Sequence, residues 1–334
     1  MKVIAIIASG TGGHVYPAYT MALEYIKKGY SILWIGTKSG LENRVIDNES
    51  ITIEHVSSQG IRGKNFLKKI IALIYFVKSI FQCFIILRKH KPGLVLGFGG
   101  YVSVGASISS YMLSIPVITH EQNAVAGTAN KINYYFSKKI YETFPLSFSK
   151  TNSKIIHTGN PVRASFDKVV DPEEKYSDIN ASINILILGG SQGSSFLNMT
   201  MPFAISHFFS DNISIKHISG LNHDSEVREK YRKYDIDASV ISYSDNIIEL
   251  FDWSSLVICR AGSTTISELA KIGRASLLVP FPHATDNHQL LNANHLAINS
   301  ATILLEQKED FIENFVTIVN ILLNDQKRMY MLSK

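Results

Sequence analysis

Val3-Ile4-Ala5-Ile6-Ile7-Ala8-Ser9-Gly10-Thr11-Gly12-Gly13-His14 decides the fold: a short apolar run, then a glycine-rich turn, then an amphipathic stretch. A run too apolar to alternate reads as a strand buried on both faces, and that is the habit of a parallel sheet covered by helices. One lysine and a short apolar run fall short of a secretory leader, so residues 2–8 are read as a first buried strand.

The same grammar repeats along the chain. Further strand-like runs fall at about 31–36, 51–56, 93–97, 115–120 and 138–142, with helix-like stretches at about 16–28, 41–48, 66–90, 102–113 and 125–136. Residues 143–163 interrupt the alternation with turn formers, among them Pro145 and Gly159-Asn160-Pro161. A second series then begins. Its strands are expected near 183–188, 213–218, 238–243, 256–260, 275–281 and 301–305. Helices are expected near 194–209, 223–233, 245–252, 263–272, 286–299 and 308–323. The pattern predicts an α/β protein of two doubly wound Rossmann-like domains, 1–160 and 161–334, joined near 159–165 and facing each other across a cleft. A length of 334 residues suits two cores better than one.

Composition narrows the function. The net charge of +5 suits anionic ligands or lipid headgroups and falls short of a nucleic-acid signature. With only Cys83 and Cys259, no disulfide framework is implied.

Three glycine clusters follow apolar strands: Ser9–His14, Gly97-Phe98-Gly99-Gly100-Tyr101, and Gly189-Gly190-Ser191-Gln192-Gly193-Ser194. Glycine allows a sharp turn and a close ligand, and the helix that follows points free N–H groups at an anion. A single such turn can be purely steric; three at strand ends suggest a phosphate or diphosphate. A nicotinamide dinucleotide fits poorly, because Gly-x-Gly-x-x-Gly is missing and the second strands end in Trp34-Ile35-Gly36 and Ile218-Ser219-Gly220, without a ribose-binding carboxylate. No Gly-Lys-Ser/Thr follows any loop, which excludes a P-loop.

The segment Cys259-Arg260-Ala261-Gly262-Ser263-Thr264-Thr265-Ile266-Ser267-Glu268 carries more. Ser263 to Thr265 open a helix with hydroxyls and N–H groups suited to phosphate, and Arg260 adds a cation beside it. Glu268, about one turn further in, can accept both hydroxyls of a ribose. The alternative is a capped helix with a solvated Glu268. The polar loop Pro280–Gln289 can bind sugar hydroxyls, or can simply be a helix start capped by Asp286. Asp235-Ile236-Asp237 lies in a charged connection and reads as solvated surface.

Taken together, Ser9–His14, Gly97–Tyr101, His120-Glu121-Gln122-Asn123, Gly159–Arg163, Gly189–Gly193 and Arg260–Glu268 resemble the MurG family over about residues 2–325. That family comprises the UDP-N-acetylglucosamine–N-acetylmuramyl-(pentapeptide) pyrophosphoryl-undecaprenol N-acetylglucosamine transferases. The resemblance implies a GT-B fold and an inverting transfer of N-acetylglucosamine from UDP-GlcNAc to the C4 hydroxyl of the MurNAc of lipid I, giving lipid II. It places the protein in peptidoglycan synthesis, hence in cell-wall biogenesis, cell shape and division, with no cofactor and no metal. It also implies a peripheral position on the cytoplasmic face of the bacterial inner membrane. Carried over by position, Thr11, Gly12, Gly13 and Asn123 lie near the transferred sugar and acceptor. Arg163, Ser191 and Ser263–Glu268 (Ser263, Thr264, Thr265, Ile266, Ser267, Glu268) belong to the donor site, with Ser244 near the uracil and Gln289 on the sugar hydroxyls. His288 stands where the family often has glutamine. Another UDP-sugar enzyme of this fold, a glycolipid synthase or a UDP-GlcNAc epimerase, is the alternative.

His14, at a helix N-terminus whose dipole disfavours imidazolium, is the expected general base, with Glu121 as the second candidate. The stretch 64–91 is apolar between basic ends (Lys64, Lys68, Lys69; Arg88, Lys89, Lys91) and long enough to span a bilayer. Lys78 and Gln82 on one face argue against spanning. The expectation is a helix with one face on the sheet and another dipping into an anionic membrane surface, against the alternative of full burial.

Overall fold

The computed structural model describes all residues except Met1, 58–65, 179–181, 191–192 and 245, and the side chains of 66–70 and Gln326 are also outside the described set. Met1–Arg163 and Ala164–Lys334 each form a compact unit.

In the first unit the elements run β1 (Val3–Ile7), α1 (Gly12–Lys27), β2 (Ser31–Gly36), α2 (Glu42–Val45), β3 (Ile51–His55), α3 (Phe66–His90) and β4 (Leu94–Gly97). They continue with α4 (Tyr101–Met112), β5 (Val117–Glu121), α5 (Thr128–Phe136), β6 (Lys139–Glu142) and β7 (Ile155–His157). All pairings are parallel, in the order β3-β2-β1-β4-β5-β6-β7. Side-chain alternation explains why the strand had to be apolar throughout. Ile4, Ile6 and Ala8 pack with Val15, Ala18 and Ala22 of α1 on one face. Ala5 and Ile7 pack with Cys83 and Leu87 of α3 and Val102 and Ala106 of α4 on the other. The Trp34 indole N–H donates to Ala8 O at 3.0 Å, which fixes the end of β2 to the start of the first glycine loop.

The second unit runs α6 (Pro172–Lys175), β8 (Ile183–Leu188), α7 (Ser195–Ile205), β9 (Ile213–Ile218), α8 (Asp224–Arg232), β10 (Ala238–Ile241), α9 (Ile247–Trp253) and β11 (Leu256–Cys259). It ends with α10 (Ser263–Ile272), β12 (Ala275–Leu278), α11 (His288–Ala297), β13 (Ile303–Leu304), α12 (Phe311–Asn324) and α13 (Gln326–Ser333). Its sheet is also all parallel, ordered β10-β9-β8-β11-β12-β13. Strand order therefore reverses between β1 and β4 in one unit and between β8 and β11 in the other. The loops leaving these four strands are the three glycine clusters and the Arg260–Gly262 turn. This is where an open parallel sheet holds its ligand.

Several details differ from the sequence reading, among them helices α6 and α13, where no helix was expected. β7 adds an edge strand inside the stretch read as turns. Helix α1 starts at Gly12, four residues earlier than expected, because the glycines themselves form its first turn. Asp286 and Asn287 both take a left-handed φ of 53°, and the N-cap position of α11 falls to Asn287, one residue after the expected Asp286.

Candidate active site

In the first unit two glycine loops meet. Gly10 and Gly99 each have a φ of +97°, which side-chain-bearing residues rarely adopt. A Cβ at Gly99 would lie 2.9 Å from His14 Nε2, so the loop after β4 carries glycine where the imidazole occupies the space. Thr11 precedes α1 and its hydroxyl makes no cap bond, so the side chain leaves the first-turn N–H groups of Gly12 and Gly13 to other acceptors. His14 stands in that same turn, half-buried.

Glu121 ends β5 at 1% exposure. Its Oε1 accepts from Asn123 N (2.9 Å) and Asn123 Nδ2 (3.3 Å), and its Oε2 from Gly127 N (3.0 Å) and Asn130 Nδ2 (2.8 Å). A carboxylate offers about four acceptor sites, and here all four face N–H donors. Burial pushes its pKa up while these donors hold it down. Through these bonds Glu121 latches the 122–127 turn and α5 in place. Glu121, the second candidate for the general base, is thus held by four N–H donors. The same latch fixes Asn123.

His120 is buried beside it, with Nε2 on Gly159 O and Nδ1 on Gln122 Nε2, both at 3.1 Å. Burial lowers its pKa to about 4 and keeps it neutral. Arg163, the last residue of this unit, lies over the Tyr16 ring with its guanidinium carbon 5.2 Å from the centroid. A cavity of about 340 Å³ lined by Met21, Tyr25, Phe98, Ile118, Tyr141 and Asn160 holds none of the expected site residues.

In the second unit the start of α10 is laid open. Its N-cap is Gly262, which has no side chain to satisfy the N–H groups of Ser263, Thr264 and Thr265. Thr264 Oγ1 is buried and has no hydrogen-bond partner among the described residues. Glu268 is buried one turn further along the helix. Two residues of this segment have other employment. Ile266 packs in the core and its N–H donates to Gly262 O, and the Ser267 hydroxyl donates to Ser263 O at 2.9 Å. The Ile266 side chain and the Ser267 hydroxyl are thus engaged within the second unit.

Arg260, expected beside the phosphates, makes four hydrogen bonds within the protein. Its Nε donates to Ser194 Oγ at 3.0 Å and its Nη1 to Val279 O at 3.0 Å and Pro280 O at 3.2 Å, and Nη1 also reaches Gln307 Oε1. Those two nitrogens are engaged within the protein. Gln289 Oε1 accepts from Phe281 N at 2.9 Å, which anchors its amide to the loop after β12. Ser244 is half-buried between β10 and α9. Ser191 lies outside the described residues.

Sequence reasoning missed Asn130 and Gln307, which sit in unremarkable stretches and act only through distant partners. It also missed a buried chain below the third glycine loop. Tyr231 OH and His217 Nδ1 are 3.0 Å apart, His217 Nε2 and Asn198 Oδ1 3.1 Å, and Asn198 Nδ2 donates to Ser219 O at 2.8 Å. This chain supports the carbonyl against which Gly193 packs, where an added Cβ would lie only 2.2 Å away. Among the described residues, no cluster of three His, Cys, Asp or Glu side chains could hold a metal ion.

Comparison with known proteins joins the two units in one family pattern. Residues 4–142 match the glycosyltransferase family 28 N-terminal domain and residues 184–334 its C-terminal domain. A UDP-N-acetylglucosamine–N-acetylmuramyl-(pentapeptide) pyrophosphoryl-undecaprenol N-acetylglucosamine transferase of Pseudomonas fluorescens (strain Pf0-1) is 40% identical over 306 residues, covering 91% of this chain and 85% of the relative. One of the same name from Psychromonas ingrahamii is 36% identical over 334 residues, covering 100% and 93%. The crystal structure of Acinetobacter baumannii MurG matches with a TM-score of 0.82 at 29% identity, over 100% of this chain and 94% of that one. A UDP-GlcNAc 2-epimerase from Neisseria meningitidis, with a TM-score of 0.67 at 15% identity over 100% and 94%, shares the fold alone.

Proposed function

The chain belongs to the MurG family of GT-B glycosyltransferases, and from that premise we propose the following account of its chemistry. It transfers N-acetylglucosamine from UDP-GlcNAc to the C4 hydroxyl of the MurNAc of lipid I, with inversion, forming lipid II for peptidoglycan. The observation that carries this reading is the start of α10 at Gly262, with a buried Thr264 hydroxyl that has no hydrogen-bond partner among the described residues and a buried Glu268 one turn on.

Residues 161–334 bind the donor. The Ser263–Thr265 N–H groups and the third glycine loop, Ser191 included, take the diphosphate, Glu268 takes the ribose hydroxyls, and Ser244 lies by the uracil. Gln289, its Oε1 fixed by Phe281 N, presents its amide nitrogen to the sugar. Residues 1–160 receive the acceptor at Thr11, Gly12, Gly13 and Asn123, and Arg163 adds positive charge toward the diphosphate. His14 removes the proton from the C4 hydroxyl, whose oxygen bonds the anomeric carbon from the face opposite the leaving group. The bond from that carbon to the β-phosphate oxygen breaks, and UDP departs with the electron pair, stabilised by helix N-termini.

The acceptor is carried on a polyprenyl chain, and α3 suits that. Residues Ile71–His90 are long and apolar enough to span a membrane, with mean hydropathy 1.8. Yet β3 and β4 on either side of α3 belong to one sheet, so the helix does not cross. Ala72, Cys83 and Leu87 are buried, whereas Ile74, Val77, Phe81 (66%) and Ile85 are exposed. Gln82 is accounted for by Ser57, whose N–H donates to it at 2.8 Å. Tyr111 and Met112 at the end of α4 and Tyr135 (74%) of α5 are exposed as well, with exposed Arg88, Lys89, Lys91, Lys131 and Lys138. An apolar face ringed by cations is the signature of peripheral attachment to anionic lipid. We assign this face to the cytoplasmic surface of the inner membrane.

Radiolabelled transfer from UDP-GlcNAc to a lipid I analogue in EDTA tests the reading. Labelled lipid product is expected. Turnover of UDP-GlcNAc to its epimer without acceptor, or no transfer by protein that binds UDP, would replace it with another UDP-sugar activity.

A further inference from the structure

We propose that Arg260 is a positioning residue that locks the sugar-recognition segment 279–289 to the third glycine loop, so that the donor's hexose and diphosphate are held in one register. The inference rests on the donor-site reading above and adds the device that keeps its two halves together.

Arginine carries five N–H donors in a rigid planar fork, which suits it to joining several acceptors at fixed angles. Arg260 leaves the end of β11 at 8% exposure. Its contacts come from loops beyond β8, β12 and β13: Ser194 Oγ, the carbonyls of Val279 and Pro280, and Gln307 Oε1. The guanidinium carbon also lies 5.8 and 5.6 Å from the ring centroids of Phe196 and Phe281. Burial lowers its pKa to about 10, so it stays charged at neutral pH.

The two loops it joins differ in how else they are held. The glycine loop has its own supports, with Gly193 packed on Ser219 and the Ser194 hydroxyl accepting from Leu197 N at 3.3 Å. Past β12, Val279 N still donates to Cys259 O of β11 at 2.8 Å, and Leu305 N donates to Leu278 O at 2.9 Å. Beyond that point Arg260 supplies donors to two successive carbonyls, one of them at Pro280, directly before Phe281. Phe281 N is the group that anchors Gln289. The line of support therefore runs from Arg260 through Pro280 and Phe281 to Gln289. Loss of Arg260 frees the sugar-reading amide while the diphosphate loop keeps its own anchors.

The test compares UDP with UDP-GlcNAc on wild type, Arg260→Lys, Arg260→Met and Gln307→Ala, by calorimetry and steady-state transfer. For the Arg260 variants the account expects UDP affinity within about threefold of wild type, and UDP-GlcNAc affinity weaker by about tenfold or more. The kcat should fall on the order of 10²-fold, the scale of an ångström-level misplacement. Gln307→Ala, which removes one remote acceptor, should move the same ratio in the same direction by a smaller factor, and it decides the matter if Arg260→Met does not fold. Equal loss of UDP and UDP-GlcNAc would make Arg260 a phosphate ligand and overturn the proposal. So would a wild-type ratio in Arg260→Lys or Gln307→Ala. Failure of wild type to bind UDP would strike the donor-site reading itself.

Discussion

Replacing Glu121 with glutamine separates a latch from a base. The buried carboxylate receives four N–H donors, two on each oxygen. Glutamine keeps one oxygen and turns the other into an NH₂, so two of those donors face a donor. Each buried donor left unsatisfied costs about 1–3 kcal/mol, for a gross loss of about 2–6 kcal/mol. Removing a buried charge returns part of that, in line with the upward pressure of burial on its pKa. A net destabilisation of about 2–4 kcal/mol is expected, which for a unit of this size lowers its melting temperature by roughly 4–16 °C. Calorimetric melting reads the stability, and the pH–rate profile reads the mechanism. The latch account expects a destabilised enzyme, slower because Asn123 and α5 shift, whose acid limb keeps its wild-type pKa. An E121Q protein as stable as wild type, with the acid limb gone, would refute the reasoning and restore Glu121 as the base.

Other outcomes follow from the same geometry. Gly99→Ala puts a methyl group against His14 at a φ that alanine rarely adopts, so transfer should fall on the order of 10²-fold while UDP affinity stays unchanged, checked by kinetics and calorimetry. Burial lowers the His217 pKa to about 3. The unfolded chain therefore binds a proton that the folded one refuses, and the stability of the second unit should drop as pH falls from about 6.5 toward 3. Urea titrations at stepped pH should show His217→Gln losing about 1.4 kcal/mol per pH unit of that slope. Phe81→Glu with Ile85→Glu should weaken binding to vesicles containing anionic phospholipid without affecting UDP binding, and unchanged sedimentation with vesicles would argue against the α3 face.

Much of the architecture could be read from apolar runs alone, because strands buried on both faces cannot hide their composition. Both sheets, and the glycine loops at their switch points, follow from that. β7 escaped because three residues at a sheet edge carry no periodic signal. The fate of individual polar groups was out of reach for a different reason. Whether Arg260 meets phosphate or protein depends on Gln307, 47 residues away along the chain. Whether Glu121 is basic depends on Asn130 and Gly127 folding back over it. The apolar character of α3 was plain, but its composition could not tell burial from exposure. Packing against α4 and the sheet decides that: Ala72 and Cys83 are buried and Phe81 stays in solvent.

Calorimetric titration of UDP into the purified protein, with EDTA present and Glu268→Ala alongside, tests most directly whether the carboxyl edge of the second sheet is a uridine diphosphate site. The account expects saturable binding by wild type, weakened about tenfold or more when the ribose carboxylate is removed. No heat with UDP, together with tight binding of a redox dinucleotide, would contradict it.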